Sequence, residues 1–508
     1  MTKRKSSQAQ ITEDYLLPDL DQNVAFLKSA FNNSSDCVFR EFVIGDKIKA
    51  FIICIDGLVS KTTLHEDVLK PLMFSFAASE LPKREINTYI KEKLITASDL
   101  KEVETFFEIT TAVLSGDAAL LVEKQPKAII ISLRGYEMRS VSEPHIESIV
   151  RGPREGFNES LRVNTSLIRR KIKNPDLVFE SLTVGKRTRT DLNIVYVKNL
   201  VKEDILNEVR KRIQAIDIDE VLDSGYIEQL IEDNPLSPFA TIGYTEKPDV
   251  AAAKILEGRV VVIVDGSPTV LTIPLLFIEH FQTAEDYYSR PFYMSFVRLL
   301  RYLAFIASII SPAYYIVLAS YHQELLQTPL LVSIAASAEG TPFPAILEVA
   351  IMGFFFEVLR EAGVRMPRPV GQAVSIVGAL VIGEASVSAG LVGEPLVIVI
   401  AVTAITSFVV PSLNDVGTLL RIYFFILVSF FGVVGVGVGI LVLLIHLASL
   451  RSFGVPFLAP ISPSDFEGLK DTFVRSPLWL LKRRPRLLSG GIRINQGQQI
   501  ASKEREEA

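Results

Sequence analysis

Cysteine is nearly missing from this chain: Cys37 and Cys54 are the only two in 508 residues. Two thiols cannot build a disulfide framework, and with five histidines they leave little for a structural zinc site. A basic surplus is missing as well. Fifty-three Lys and Arg face 58 Asp and Glu, a net charge of −5, which argues against a general nucleic-acid binder. No apolar run follows Lys3, Arg4 and Lys5, so no cleavable signal peptide is expected. No nucleophile–base pair, phosphate loop or metal-ligand cluster stands out. The chain is therefore expected to be no enzyme, with no catalytic residue, metal or cofactor. Cys37, Cys54 and His65 are the one thiol–imidazole set in a single region, and their spacing fits no motif; buried or idle side chains explain them better.

What the chain has is apolar sequence, unevenly spread. Hydrophobic residues make up 49 % and charged residues 22 %, with a mean hydropathy of +0.32. Charge is plentiful as far as Arg290. Between Pro369 and Leu450 it is confined to Glu384, Glu394, Asp415 and Arg421. A bilayer crossing needs about 20 apolar residues, and a soluble core helix does not. The expected architecture is an α/β cytoplasmic part of two related subdomains in tandem, followed by an α-helical transmembrane domain. The expected boundaries are a disordered tail 1–19, a first subdomain 20–135, an Arg/Gly-rich linker 136–161, a second subdomain 162–290, membrane helices 291–450, and a basic, partly disordered tail 451–508.

A weak internal repeat supports the tandem reading. VFREFVIG from Val38 lies over VFESLTVG from Val178, at an offset of 140. At an offset of 142, GDAALLVEKQPKAIII from Gly116 lies over GRVVVIVDGSPTVLTI from Gly258. Short strands are expected near 48–55 and 192–197. The β-branched runs around Asp265-Gly266-Ser267-Pro268 predict a hairpin. Asp265 and Ser267 suggest a hydrolase turn, but the matching turn Glu123-Lys124-Gln125-Pro126 has no nucleophile, and a turn that only turns explains both. Between the repeats, Arg151, Gly152, Arg154 and Gly156 mark an interdomain loop. It reads either as an anion clamp or as a linker with ordinary salt bridges, and composition favours the linker.

In the membrane part, Tyr287, Tyr288, Phe292 and Tyr293 with Arg290, Arg298 and Arg301 read as an interfacial anchor. Spans are expected over 302–320, 343–359, 370–391, 395–410 and 418–450. The stretch 328–338 is too short to cross. Glu348 and Glu357 are the acidic residues of the second span, on opposite helix faces. Glu357 is expected to pair within the Arg360–Arg368 loop. The third span carries small residues at helical spacing, including Gly371, Ser375, Gly378 and Ser386, with Ile382 in register. That face serves close helix packing, or lines a narrow path in an oligomer. Glu384 lies off it, as a deep carboxylate facing protein or water, or as one near the outer interface. Ser375, Gly378, Ile382, Glu384 and Ser386 are the pore-lining candidates. GVVGVGVG from Gly432 interrupts the last stretch, leaving it kinked, tilted or in two pieces. Three Lys/Arg clusters on one side demand an even number of crossings, so one of five stretches is re-entrant or broken.

The run REAGVRMPRPVGQAVSIVGALVIGEA (Arg360 to Ala385) resembles the A subunits of spore-germination nutrient receptors, the GerA family. VRGPREGFNES from Val150, PFPA from Pro342, SFVVPSLNDVGTLLRIYFF from Ser407 and FGVPFLAPISP from Phe453 share the resemblance. It implies a multi-pass protein of the spore inner membrane with both termini cytoplasmic. It further implies a nutrient-gated homo-oligomer, a pentamer, that passes monovalent cations. The implied partners are a transporter-like, germinant-binding B subunit and a lipoprotein C subunit. Alternatives are a downstream amplifier of ion release in the same family, a secondary transporter, or a membrane scaffold.

Overall fold

The computed structural model describes residues 15–45, 48–74, 86–97, 99–135, 147, 149, 151–366, 378 and 381–489. Two five-stranded sheets form the soluble part, and their strand orders match. The first runs β1 (Cys37–Ile44), β2 (Ile48–Ile55), β4 (Ala118–Val122), β5 (Ala128–Ile131), β3 (Leu100–Val103). The second runs β6 (Leu177–Val184), β7 (Thr190–Val197), β9 (Val260–Val264), β10 (Val270–Ile273), β8 (Gly243–Thr245). All pairings are antiparallel, so the layers are α and β without parallel crossovers. The expected hairpin at Asp265 joins β9 to β10.

Both faces of each sheet are covered, which is why β4 and β9 are apolar without alternation. α1 (Leu20–Ala30) and α2 (Phe106–Leu114) press Leu27, Ile109 and Val113 onto Phe51 and Ile53. α3 (Leu161–Lys171) supplies Leu167 and Ile168 in the second sheet, against Phe179 and Val195. The opposite face of that sheet receives α4 (Glu203–Gln214) and α5 (Ser224–Ile231). α6 (Pro248–Leu256) joins α3, with Pro at its first turn where a missing N–H costs nothing. α2 starts on a reciprocal cap: Thr105 Oγ1 accepts from Glu108 N, and the Glu108 carboxylate accepts from Glu104 N. The repeat extends to backbone conformation. Gly116 and Gly258 follow helices at φ +97° and +92°, and Lys124 takes the positive φ that Gly266 takes in the second turn.

A buried ion pair joins the two sheets. Arg169 on α3 is fully buried and grips Asp36, just before β1, with Nε and Nη2 at 2.8 Å each. Ser34 Oγ donates to the same carboxylate and accepts from Phe179 N.

The helical part begins with α7 (Pro291–Ile316), which continues through a wider turn to Tyr321. α8 (Thr328–Glu339), α9 (Ala345–Arg365), a helical stretch 381–388, α10 (Glu394–Ser407) and α11 (Asn414–Ser449) follow. By length and composition, Pro291–Tyr321 and Pro411–Ser449 are long and apolar enough to cross a membrane.

α11 is a hairpin of two antiparallel arms, not a rod. Gly432 leaves helical geometry at φ +57°, ψ −136°. Beyond it Gly439 lies against Phe424, where a Cβ would come within 2.7 Å of the ring. Both ends of α11 return to the soluble part: Ser412 Oγ donates to His280 O, and His446 Nε2 meets Ser237 Oγ at 3.0 Å. The tip meets the far end of α7, where Tyr321 Oη donates to Ser429 O at 2.6 Å. Each arm holds about 18 residues, roughly 27 Å, close to the thickness of a hydrocarbon core.

The expected interfacial anchor divides. Phe292 and Tyr293 are exposed, but Arg298 is buried in ion pairs with Asp286 and Asp471, and Arg301 holds Asp286 from the other side. Tyr287 Oη donates to Asp471, and Tyr288 Oη to Asp249. Residues 451–489 fold back over this junction and bury Ser452, Phe457, Thr472 and Leu488. The tail is thus ordered as far as 489, because Phe453, Val455 and Phe457 fill the seam between sheet and helices. At the other end Leu16 is buried and Asp19 caps α1. Residues 1–14 and 490–508, with the disorder expected there, lie outside the described residues.

Candidate functional site

The third apolar stretch is the most distinctive, because its packed and open faces separate. Gly378 meets α9, and a Cβ there would come within 2.6 Å of Leu359. Gly383 is buried toward α10, facing Val397 at 3.6 Å. Val381, Glu384, Ala385 and Ser388 are exposed. Their spacing of three, four and seven residues makes one continuous helix face. Ile382 and Ser386 sit half-buried at its flank, and Ser375 lies outside the described residues. The small residue Gly378 therefore lies in a packing contact, while the carboxylate stands on the open side.

The two acidic residues of α9 have different surroundings. Glu357 pairs with Arg360 at 2.8 Å, as its sequence neighbourhood predicts. It also takes Arg421 of α11 at 2.5 Å and accepts from Thr418. Arg421 was not foreseen, though it is the one Lys or Arg between Arg368 and Arg451, and a membrane-depth cation usually finds a carboxylate. Glu348 is buried, 3 % exposed, at the end of α9 remote from the sheets.

The loop after the first sheet has a structural occupation. Gly152 takes φ +142°, and a Cβ there would strike Tyr288. Pro153 O accepts from Lys247, Glu155 pairs with Arg170 and Lys171, and Gly156 is buried. Arg151 and Arg154 are exposed.

The thiols and the Asp265–Ser267 turn of the soluble part are occupied structurally. Burial pushes the Cys54 thiol up to about 11 and the Cys37 thiol higher, with nearby Asp56 and Asp36 adding to it, so neither is a poised thiolate. Ser267 Oγ donates to Asp223 at the start of α5, and Asp265 accepts from Leu161 N, so both residues fasten helices. Burial would raise the Glu279 carboxyl, but the adjacent Arg259 and Lys254 cations hold it below the usual range. Burial lowers its neighbour His280 to about 4. Among the described residues no group of three or more His, Cys, Asp or Glu could hold a metal.

Fold and site together define a class: a double-sheet soluble part carried on a bundle of apolar helices, with a carboxylate exposed on one helix and no catalytic constellation among the described residues. Residues 25–487 match the family model described as Bacillus/Clostridium GerA spore germination protein, and the chain belongs to that family. It is 43 % identical over 484 residues to spore germination protein KA of Bacillus subtilis (strain 168), covering 94 % of this chain and 88 % of that one. It is 40 % identical over 489 residues to the uncharacterized membrane protein YfkQ of the same organism, covering 96 % and 94 %. The crystal structure of the N-terminal domain of the A subunit of the Bacillus megaterium spore germinant receptor GerK3 is 34 % identical. It covers 52 % of this chain and 98 % of that chain, with a TM-score of 0.43.

Proposed function

We propose that this chain is the A subunit of a nutrient-germinant receptor in the spore inner membrane. In this reading several copies assemble around a path for monovalent cations, and a transporter-like B subunit and a lipoprotein C subunit control its opening. The single observation that carries the reading is the exposed face of Val381, Glu384, Ala385 and Ser388. A carboxylate at membrane depth costs about 2.5 kcal/mol or more if it meets lipid. Copies of the same face around a water-filled axis would remove that cost and give each copy one cation-attracting oxygen pair. The hairpin also supports the multi-pass reading. α7, α9, the stretch through 381–388, α10 and the two arms of α11 make six passes, an even number that leaves every Lys/Arg cluster on the side of the sheets.

The test is cross-linking between copies. Val381→Cys and Ser388→Cys variants, expressed in membranes with the B and C partners, should form dimers and higher species on oxidation. The native cysteines are buried and stay silent. A Phe430→Cys control on the outer α11 arm should not cross-link. Equal cross-linking at all three positions would contradict a shared axis through this face.

A further inference from the structure

At the end of the helical part remote from the sheets, the last turn of α7, α8 and the first turn of α9 enclose a cavity of ≈ 320 Å³. Glu348 lines it and is almost wholly buried. Its backbone N–H bonds to Pro344 O, but its carboxylate has no hydrogen bond or ion pair with any described residue. Among the described residues the cavity wall contains no Lys, Arg or His; its polar side chains besides Glu348 are those of Tyr315, Ser320, Gln323 and Ser337. Glu357, farther along the same helix, by contrast holds two guanidinium groups.

We propose that Glu348 and this cavity form a binding site for a monovalent cation, distinct from the Glu384 face. The carboxylate opens onto the cavity without a partner, so whatever enters the cavity meets an unpaired acceptor. The space favours a cation, since it exceeds the ~30 Å³ share of one water several times over and admits an ion with part of its hydration shell. One carboxylate among neutral oxygens matches a single positive charge; a calcium site gathers six to eight oxygens, commonly with several carboxylates. The ligand is an alkali-metal ion or the ammonium group of a small amine. Binding here is an equilibrium property and does not require that the chain conduct ions.

The experiment is thermal unfolding of the full chain in lipid nanodiscs at fixed ionic strength. The salts are KCl, methylammonium chloride and, as a bulky reference, N-methylglucamine chloride. The expected result is a saturable rise in Tm with potassium or methylammonium over the reference, abolished in Glu348→Gln. A response to potassium alone assigns an inorganic ion, and one to methylammonium alone assigns an amine. Ala335→Phe fills the cavity and keeps the carboxylate, so it should abolish the response in a folded protein even if Glu348→Gln fails to fold. A wild type indifferent to both salts, or a full response in either variant, would overturn the proposal.

Discussion

Tyr423 Oη donates to the carbonyl of Gly439 at 3.3 Å, across sixteen residues of what is otherwise one helix. In a straight helix those residues would stand about 24 Å apart. The contact exists because Gly432 reverses the chain and because Gly435 and Gly439 let the returning arm touch Leu427 and Phe424 backbone and ring. The glycine run is therefore a turn and a contact surface at once.

Substitution in the hairpin should separate these roles. Gly432→Ala puts a Cβ at a φ, ψ pair that side chains avoid, at a cost on the order of 1–3 kcal/mol. Gly439→Leu drives a side chain into Phe424. Both should lower the unfolding midpoint of the purified protein, whereas Gly437→Ala, with open space at its Cβ, should leave the midpoint nearly unchanged. Spin labels at residues 416 and 447 should lie within ~20 Å of one another by pulsed dipolar spectroscopy, against roughly 46 Å for a rod.

The Arg169–Asp36 pair should behave as a buried charge pair between the two sheets. Removing one partner strands the other without water, at about 3–5 kcal/mol. Arg169→Leu should therefore destabilise strongly, and Asp36→Leu placed on top of it should recover part of the loss. Chemical denaturation of the single and double variants measures this. Additive losses would mean that the two residues do not act as a pair.

Much of this was legible in sequence, and the reasons differ by region. The tandem sheets announce themselves because strands buried on both faces must be apolar runs, and because turn residues such as Gly116 and Gly258 repeat with them. Glu357 and Arg360 are legible as helix neighbours. The Arg169–Asp36 pair is not, since 133 residues separate its members and neither sits in a motif. Nor was the hairpin resolved: a glycine run fits a kink as well as a reversal, and only contacts such as Tyr423 with Gly439 decide between them. Gly378 was legible as one of a series of small residues, but its contact with Leu359 of α9 was not.

One side chain of the soluble part should add a defined pH dependence to its stability. Burial, with Glu232 and Asp223 nearby, pushes the Glu228 carboxyl from 4.5 up to about 7. Between those values the folded state holds a proton on Glu228 that the unfolded chain releases, so the contribution of Glu228 to stability falls as pH rises through this window and is level on either side of it. Glu228→Gln should remove this contribution and leave the opposite one of buried His280, lowered to about 4; the variant should gain roughly 1–3 kcal/mol over wild type at pH 8, with little gain at pH 4. Unfolding midpoints at pH 4, 6 and 8 check it; a difference between variant and wild type that does not grow with pH would contradict it.

The most direct test of the central claim is potassium efflux from membranes carrying this chain with the proposed B and C partners, before and after a mixture of nutrient germinants. The account predicts germinant-dependent efflux that Glu384→Gln reduces severalfold. It also predicts that Val399→Ala, a small truncation at a partly buried position on α10, leaves efflux intact. Efflux indifferent to Glu384→Gln would move the cation path off the 381–388 face and contradict the account.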